Sequence, residues 1–354
     1  MLVNIVNEQC VQHQVSLIIV NNLYDEELVR KISPRVRIYK LYRKARSRDI
    51  RPIIKLNYLL IKTNPTIIHS HAPKIGEILL PIFKSKLVYT IHDVGIPSKY
   101  FSYYKHFCAI SKCVQDDVKK RTKITSTLVY NGIKVSDFKQ KQYSNTKRAQ
   151  NQTFKIVQIS RLLHKKKGQD ILIKAVSKLI YDKGLNIEID LIGEGESKDY
   201  LLNLINQLNL NEQVHLLGAK PYSYIKNHLY NYDLLVQPSI FEGFGLTVAE
   251  GIAAKIPVLV SENEGPLEII GNGKYGFYFK KGNVDDCADK IEEIMHTDID
   301  ELIETAYKHI QNNFNIEKTS SNYIKVYKNI IEKWKLFIAF HMYINLVALK
   351  ELFR

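Results

Sequence analysis

Between Ser239 and Val258 the chain runs Ser-Ile-Phe-Glu-Gly-Phe-Gly-Leu-Thr-Val-Ala-Glu-Gly-Ile-Ala-Ala-Lys-Ile-Pro-Val. The apolar run Leu234–Val236 before it predicts a buried strand, and the proline and glycines that follow predict a loop. A helix is predicted from Leu246 to Ala254. Glu242 therefore lies in the loop, and Glu250 lies about one turn into the helix.

The loop and the helix start have the composition of an anion site. Gly243 and Gly245 let the backbone approach a ligand, and the N–H groups of a helix start favour an anion. Together with Phe244 and Leu246 they form the predicted anion-binding loop, and the carboxylate on each side of it can hold sugar and ribose hydroxyls. The alternative is a strand–turn–helix with two solvated glutamates, which the spacing of the pair alone favours.

The string Glu-Gly-Phe-Gly-Leu-x-x-x-Glu-Gly-x-Ala, from Glu242 to Ala253, resembles the E-x7-E signature of the family 4 retaining glycosyltransferases. The resemblance implies an α/β protein of the GT-B fold, in which two Rossmann-like doubly wound domains face each other across a cleft. It also implies a retaining, hexosyltransferase-type enzyme with a nucleotide-sugar donor. In that scheme Glu242 holds the donor sugar and Glu250 holds the ribose.

Length and composition are those of a two-domain globular protein. The chain has 354 residues, and its hydrophobic content of 45% suffices for buried cores. No apolar run reaches the ~18 residues of a membrane-spanning helix, and no signal peptide is visible. The four cysteines are scattered without a Cys-x-x-Cys pair, which predicts reduced thiols in a cytoplasmic protein.

The net charge of +15 is concentrated in the first part of the chain. Residues 1–150 hold 27 Lys and Arg against 10 Asp and Glu, whereas the remainder holds 24 against 26. An anionic membrane surface or a phosphate-bearing acceptor would suit such a domain, and a solvated basic face is the alternative. No nucleic-acid-binding motif is present, so nucleic acid is not an expected partner.

Short β-branched runs alternate with helical stretches throughout, which predicts two open α/β sheets. The polar stretch Lys139–Thr153 is the predicted linker. We therefore expect an acceptor-side domain at 1–146, a nucleotide-sugar-binding domain at 147–315 and a helical segment at 316–354. That last segment is expected to pack back on the first domain; its apolar residues also allow an interfacial membrane helix.

The chain begins with a predicted helix, Leu2–Val11, before the predicted strand Val15–Val20. The family resemblance implies an earlier strand and a glycine-containing loop, so the first domain is expected to lack its first strand. This leaves open a truncated or non-catalytic binding subunit. A nucleotide-sugar epimerase on the same fold is a further alternative.

A cationic pair is predicted at the start of the second domain. Arg161 follows the strand Phe154–Ser160, and Lys167 precedes a helix predicted to begin at Gln169. Both can reach a diphosphate. By resemblance they are catalytic residues, with Lys166 as a possible substitute because the spacing is one residue longer than the commonest pattern. Gly193, in the turn Gly193-Glu-Gly, is predicted to lie near the nucleotide by resemblance.

In the first domain His92 ends the strand Leu87–Ile91, and by resemblance it points toward the donor sugar. His69 and His71 end the preceding strand. Their side chains are expected to point to opposite faces, which argues against a shared metal.

The predicted reaction transfers the sugar from the nucleotide to a hydroxyl of a glycan or a lipid-linked glycan, as in bacterial surface polysaccharide biosynthesis. No Asp-x-Asp pair ends a strand near the diphosphate, so metal independence is expected, and the nucleotide-sugar is a substrate rather than a cofactor. The cationic pair and the loop amides are expected to stabilise the leaving diphosphate. No protein nucleophile is assigned, and the donor's own phosphate is expected to accept the acceptor proton.

Overall fold

The computed structural model describes residues 1–143 and 152–351, without the side chains of residue 264 and residues 334–351. The chain forms two compact units. The first contains Met1–Ala109, Asp117–Val129 and the chain from Glu317 onward, and the second contains Ile110–Asp116 and Tyr130–Ile316. The domain boundaries predicted at residues 146 and 315 stay predictions.

The predicted linker Lys139–Thr153 lies partly outside the described residues. Its first residues pack on the second unit, where the N–H of Lys139 donates to the carbonyl of Lys226 at 3.0 Å. The N–H of Lys141 donates to the carbonyl of Ala254 at 2.9 Å. The longer segment of the second unit already begins at Tyr130, before the predicted linker.

The strands of the first unit form two parallel sheets. One has the order β1 (Ser16–Asn21), β2 (Arg37–Arg43), and the other has the order β3 (Ile68–Ser70), β4 (Leu87–Ile91), β5 (His106–Ala109), β6 (Thr127–Leu128). Within the described residues no ladder joins the two sheets. A helix precedes β1, as the sequence predicts.

The early helices are α1 (Leu2–Gln9), α2 (Glu26–Arg30), α3 (Arg51–Thr63), α4 (Ile75–Ile78) and α5 (Lys112–Thr122). Asp25 caps α2, because its carboxylate accepts hydrogen bonds from the N–H groups of Glu27 and Leu28. Leu56 and Leu60 fix one side of α3 in a core cluster.

The second unit contains one six-stranded parallel sheet. Its strands are β7 (Phe154–Ile159), β8 (Ile187–Ile192), β9 (Val214–Gly218), β10 (Leu234–Gln237), β11 (Val258–Ser261) and β12 (Phe277–Phe279), in the order β12-β11-β10-β7-β8-β9. The chain builds outward from β7 in one direction and then from β10 in the other. The carboxyl ends of β7 and β10 therefore form a topological switch point, where open α/β sheets bind ligands.

The helices of this unit are α6 (His164–Lys167), α7 (Gln169–Lys183), α8 (Lys198–Gln207), α9 (Tyr222–His228), α10 (Leu246–Ala253), α11 (Glu264–Ile269), α12 (Val284–His296) and α13 (Asp300–Asn313). β10 is buried along its whole length, as expected of a parallel strand covered on both faces. The core cluster runs across the sheet into α7, α8 and α12.

The last described element is one continuous helix, α14 (Ile316–Glu351), within the segment predicted to be helical. It begins against the second unit, through a bridge between Ile133 and Asn315, and from Glu317 it belongs to the first. The predictions for the apolar side chains from Trp334 onward lie outside the described side chains. Within residues 1–143 and 152–351, no helix combines the length and apolarity needed to cross a membrane.

Candidate functional site

The switch point of the second unit gathers most of the predicted site residues. Arg161 and Lys167 follow the carboxyl end of β7, and Glu242 follows the carboxyl end of β10. Because β7 and β10 are neighbours, both loops open at the same edge of the sheet. His92 is not part of this group, because it belongs to the first unit.

The centre of the site is an ion pair between Lys167 and Glu242. The Lys167 Nζ lies 2.5 Å from the Glu242 Oε2, and the two side chains are 17% and 18% exposed. Gln237 Nε2 donates to the same carboxylate oxygen at 3.1 Å, and the Gln237 Oε1 accepts a bond from the Thr247 hydroxyl at 3.3 Å. A buried amide thus links the ion pair to the first turn of α10.

Main-chain contacts hold the Lys167 segment in place. The Gln158 Nε2 donates to the carbonyl of Lys167 at 2.9 Å. The carbonyl of Lys166 accepts the N–H of Ile240 at 2.9 Å, which attaches the one-turn helix α6 to the loop that carries Glu242. Lys166, the predicted substitute, therefore contributes its backbone to the position of that loop, while Lys167 supplies the ammonium beside Glu242.

Arg161 extends outward from the same edge. Its guanidinium is 68% exposed and lies 3.7 Å from the Glu196 carboxylate, whereas its carbonyl accepts the Gln169 Nε2 at 2.9 Å. Gly193 passes directly beside this segment: a Cβ there would stand 2.0 Å from the Ser160 carbonyl oxygen, and its φ of 148° suits glycine. The structure therefore fixes the Arg161 backbone and leaves the guanidinium able to reach a ligand.

The predicted loop 243–246 leads into α10 through Gly245, whose φ of 98° lies in the region that glycine adopts without strain. The Phe244 ring is buried and packs against Tyr130 and Phe314. The carbonyl of Gly243 accepts the Ser111 hydroxyl at 2.6 Å. These contacts fix the N-terminus of α10, which begins at Leu246, at the sheet edge where the ion pair lies. The N-terminus of a helix attracts anions.

Glu250 lies one turn farther along α10 and is buried. Burial raises the pKa of its carboxyl to about 7, and the hydrogen bond from the Tyr222 hydroxyl opposes that rise. Tyr222 begins α9, which follows β9. The second predicted carboxylate therefore has a tyrosine partner of its own and differs from Glu242, which pairs with an ammonium.

The predicted orientation of His69 and His71 is wrong. Their rings lie with centroids 4.3 Å apart, because residues two apart along an extended chain point to the same side. The His71 Nδ1 lies 2.9 Å from the His92 Nε2, and His69 lies between the Thr90 and Tyr327 hydroxyls, at 2.7 and 2.6 Å. In the described parts of the chain, no group of three or more His, Cys, Asp or Glu side chains forms a metal site.

These three imidazoles are only partly exposed, and all three have a lowered pKa. Loss of hydration, reinforced by the repulsion that a protonated His71 or His92 would exert, holds the pKa of His69 well below its usual range. Burial lowers the pKa of His71 to about 3 and the pKa of His92 to about 4. The folded state therefore binds fewer protons than the unfolded state below pH ~6.5, the ordinary value for histidine.

We expect the free energy of unfolding to fall as the pH drops from 6.5 toward 4.5. Each unprotonated histidine contributes about 3 kcal/mol to that loss at pH 4.5. The substitution His71→Asn should reduce this loss of stability. Between pH 7.0 and pH 4.5 the melting temperature of the variant should fall by about 5 °C less than that of the wild type. Thermal melts at pH 7.0 and pH 4.5 measure the effect. His13→Asn, an exposed histidine of the same unit, is the matched control, and equal pH dependence in all three proteins would contradict the prediction.

Sequence reasoning missed several polar partners of the site. Gln237 could have been found from its position, because a buried amide at the end of an apolar strand needs a hydrogen-bond partner. Thr247 and Tyr222 had none, because their roles depend on which side chains meet in space. Glu268 was also missed: its carboxylate accepts the N–H groups of Lys112 and Cys113, each at 2.8 Å, and so caps α5.

Comparison with known families covers nearly the whole chain. A family model described as "Glycosyl transferases group 1" matches residues 139–315, and one described as "Glycosyltransferase Family 4" matches residues 2–137. The chain is 27% identical over 302 residues to the capsular polysaccharide biosynthesis glycosyltransferase CapM of Staphylococcus aureus, with 77% of each chain covered.

Solved structures share the architecture. A glycosyltransferase from Rickettsia africae ESF-5 matches with a TM-score of 0.77 at 22% identity, covering 93% of this chain and 94% of its own. Anabaena HepE, solved with UDP and glucose, matches with a TM-score of 0.71 at 19% identity, covering 93% and 95%. These likenesses establish the fold, and the group 1 model spans half of the sequence. The chain therefore belongs to the group 1 glycosyl transferases of glycosyltransferase family 4, and it has the GT-B fold.

Proposed function

We propose that this glycosyltransferase moves a hexose-type sugar from a nucleotide-sugar to a hydroxyl acceptor with retention of the anomeric configuration. The observation that carries the proposal is the contact between Lys167 and Glu242 at the switch point, beside the N-terminus of α10. In a nucleotide-sugar the diphosphate adjoins the sugar. An ammonium and a carboxylate 2.5 Å apart match that arrangement, one for each part of the donor.

In the proposed reaction the bond from the sugar C1 to the diphosphate oxygen breaks, and a bond from C1 to the acceptor oxygen forms on the same face. The acceptor proton passes to the departing phosphate. Lys167, Arg161 and the amides at residues 244–246 stabilise the negative charge on the diphosphate, so no metal is required. Glu242 orients the sugar and Glu250 the ribose. His92 of the first unit is assigned to the sugar as well, on the family resemblance.

The proposed acceptor is a glycan or a lipid-linked glycan. The name of CapM and its role in capsular polysaccharide biosynthesis support this class, as does the positive charge of residues 1–150. We place the protein in the cytoplasm, in peripheral contact with the inner face of an anionic membrane. The charge asymmetry supports such contact, because basic segments are attracted to anionic lipids.

A panel of nucleotide-sugars tests the donor proposal by thermal shift. UDP-glucose, UDP-N-acetylglucosamine, UDP-galactose, GDP-mannose and ADP-glucose should be compared, with and without EDTA. Saturation at about 100 times the dissociation constant stabilises the folded state by ~2.7 kcal/mol, a shift of several degrees. We expect one nucleotide class to produce this shift, unchanged by EDTA.

Product analysis separates transfer from its alternatives. With the stabilising donor and a lipid-linked glycan acceptor, release of the nucleoside diphosphate and an anomeric signal of the donor's configuration support retention. An inverted product would contradict the stereochemical proposal. Donor binding with no nucleotide release under any acceptor would indicate a binding subunit, and release of a free epimerised sugar without acceptor would indicate an epimerase.

A further inference from the structure

Helix α3 carries an apolar stripe on its solvent side. Ile54, Tyr58 and Ile61 are 59%, 58% and 55% exposed. Their spacing of four and three residues places them on one face of the helix. Leu56 and Leu60 are buried on the opposite face, in a cluster with Leu41 and Phe83. The helix is therefore fixed by one apolar side and presents a second apolar side outward, where a surface helix normally carries polar residues.

The stripe has a basic flank. Helical geometry places Arg51, Lys55 and Lys62 side by side along one edge of it, and all three are exposed. Arg51 pairs with Asp49, so the two lysines supply most of the uncompensated charge. No acidic residue occurs between Asp49 and Glu77.

The neighbouring segment adds further exposed apolar surface. The Asn57 side chain joins it to α3, donating to the carbonyl of Ile78 at 2.9 Å and accepting the N–H of Leu80 at 2.8 Å. Leu80 and Ile82 are both exposed, and the exposed Lys84 follows. Two adjoining elements thus repeat the same combination of exposed aliphatic and basic side chains.

This combination fits the interface of an anionic bilayer. Aliphatic side chains enter the acyl boundary, a tyrosine lies at the level of the head groups, and lysines contact anionic lipids. The ten basic residues between Arg30 and Arg51, with one acid among them, extend the positive field up to the start of α3. A protein partner would need acidic groups matched to individual lysines, whereas a lipid surface requires only net negative charge.

We propose that α3, through Ile54, Tyr58 and Ile61 with Lys55 and Lys62 beside them, is the surface by which this protein inserts into anionic membranes. This inference rests on the membrane part of the proposed function and names the surface responsible. The apolar stripe supplies the burial, and the basic flank supplies the selectivity for anionic lipid.

Vesicle flotation tests the assignment with the full-length protein. The probes are vesicles of phosphatidylcholine with about one third phosphatidylglycerol, and vesicles of phosphatidylcholine alone, at low and at physiological salt. The double variant Ile54→Ser/Ile61→Ser is compared with Val11→Ser/Leu202→Ser, which removes two exposed aliphatic side chains elsewhere. A third variant, Lys55→Gln/Lys62→Gln, removes the basic flank. Thermal melts and the donor-induced thermal shift establish that each variant is folded and binds donor.

We expect the wild type and the Val11/Leu202 control to bind anionic vesicles equally. The Ile54/Ile61 variant should bind them at least about tenfold more weakly. The Lys55/Lys62 variant should lose about tenfold or more, chiefly at low salt. Donor-induced thermal shifts should be equal in all four proteins.

Two outcomes would overturn the proposal in distinguishable ways. If the wild type binds anionic vesicles and the α3 variants bind equally well, the surface lies elsewhere, although membrane recruitment stands. If the wild type does not float with anionic vesicles even at low salt, the membrane part of the proposed function fails as well, while the donor proposal is unaffected. A dimer that the Ile54/Ile61 substitutions dissociate would instead assign the stripe to a second copy of this chain.

Discussion

The substitution Lys167→Ala is expected to lower turnover by about 10² or more, because it removes a preorganised positive charge from the leaving diphosphate. The Lys167 side chain is only 17% exposed and its ammonium is held by Glu242, so little reorganisation is needed when a donor binds. Release of nucleoside diphosphate under saturating donor, using the sugar nucleotide identified by thermal shift, measures the effect. The loss should fall on kcat more than on KM, because the charge develops in the transition state.

Lys165 provides the matched control for this experiment. It lies two residues away in the same one-turn helix and is exposed, so Lys165→Ala should leave turnover within about twofold of the wild type. Arg161→Ala should also lower turnover by about 10². Full activity of the double variant Arg161→Ala/Lys167→Ala would refute the assignment of the diphosphate site to this edge of the sheet.

The contact between Lys167 and Glu242 complicates any single substitution. Removing the ammonium leaves the Glu242 carboxylate with only the Gln237 amide among its described partners, so part of the loss can come from a displaced carboxylate. A double-mutant cycle with Glu242→Gln separates the two contributions. If Lys167 acts on the diphosphate directly, Lys167→Ala should still lower turnover strongly in the Glu242→Gln background.

Much of the second unit follows from local sequence signals. The helix predicted to begin at Gln169 is confirmed, and it ends at Lys183, before Gly184 in a left-handed conformation. The strand predicted at Leu234–Val236 is confirmed as Leu234–Gln237, and the helix predicted from Leu246 to Ala254 is confirmed as Leu246–Ala253. These elements are continuous apolar or amphipathic runs bounded by glycine or proline, so the signals for their ends lie within a few residues.

The assignment of residues to compact units was harder to obtain from sequence. Residues 110–116 pack with the second unit, although they follow a strand of the first. Their bonds go to Gly243 and Glu268, more than a hundred residues away. Composition marks a linker by the absence of apolar runs, but it does not reveal hydrogen bonds formed at such a separation.

The candidate site was likewise predicted only in part from the sequence. Lys167 and Glu242 were predicted from two loops that open at adjacent strand ends, and the structure brings them into contact. The histidine prediction failed because residues two apart along an extended strand point to the same face, so the spacing of His69 and His71 favours neighbouring rings.

The assignment of Glu250 to the ribose predicts a specific change in nucleotide recognition. The substitution Glu250→Gln should weaken binding of UDP, or of the diphosphate with the preferred base, by about 10- to 100-fold, because hydrogen bonds to a charged group contribute about 1.5–3 kcal/mol. The wild type should discriminate strongly against the 2′,3′-dideoxy analogue, and the variant should not. Isothermal titration calorimetry of both ligands with both proteins measures the coupling free energy between the Glu250 carboxylate and the ribose hydroxyls.

The pH dependence of the same binding follows from the raised pKa of Glu250, about 7. If the ionised carboxylate accepts the ribose hydroxyls, binding releases a proton, and affinity rises with pH up to and through neutrality. The hydrogen bond from the Tyr222 hydroxyl lowers this pKa. The substitution Tyr222→Phe should therefore move the increase in nucleotide affinity to higher pH. At pH 8.5 the affinity of the variant should be near that of the wild type. Glu250→Gln should remove this component of the pH dependence. Unchanged discrimination between the ribose and dideoxy ligands in Glu250→Gln would show that another group holds the ribose.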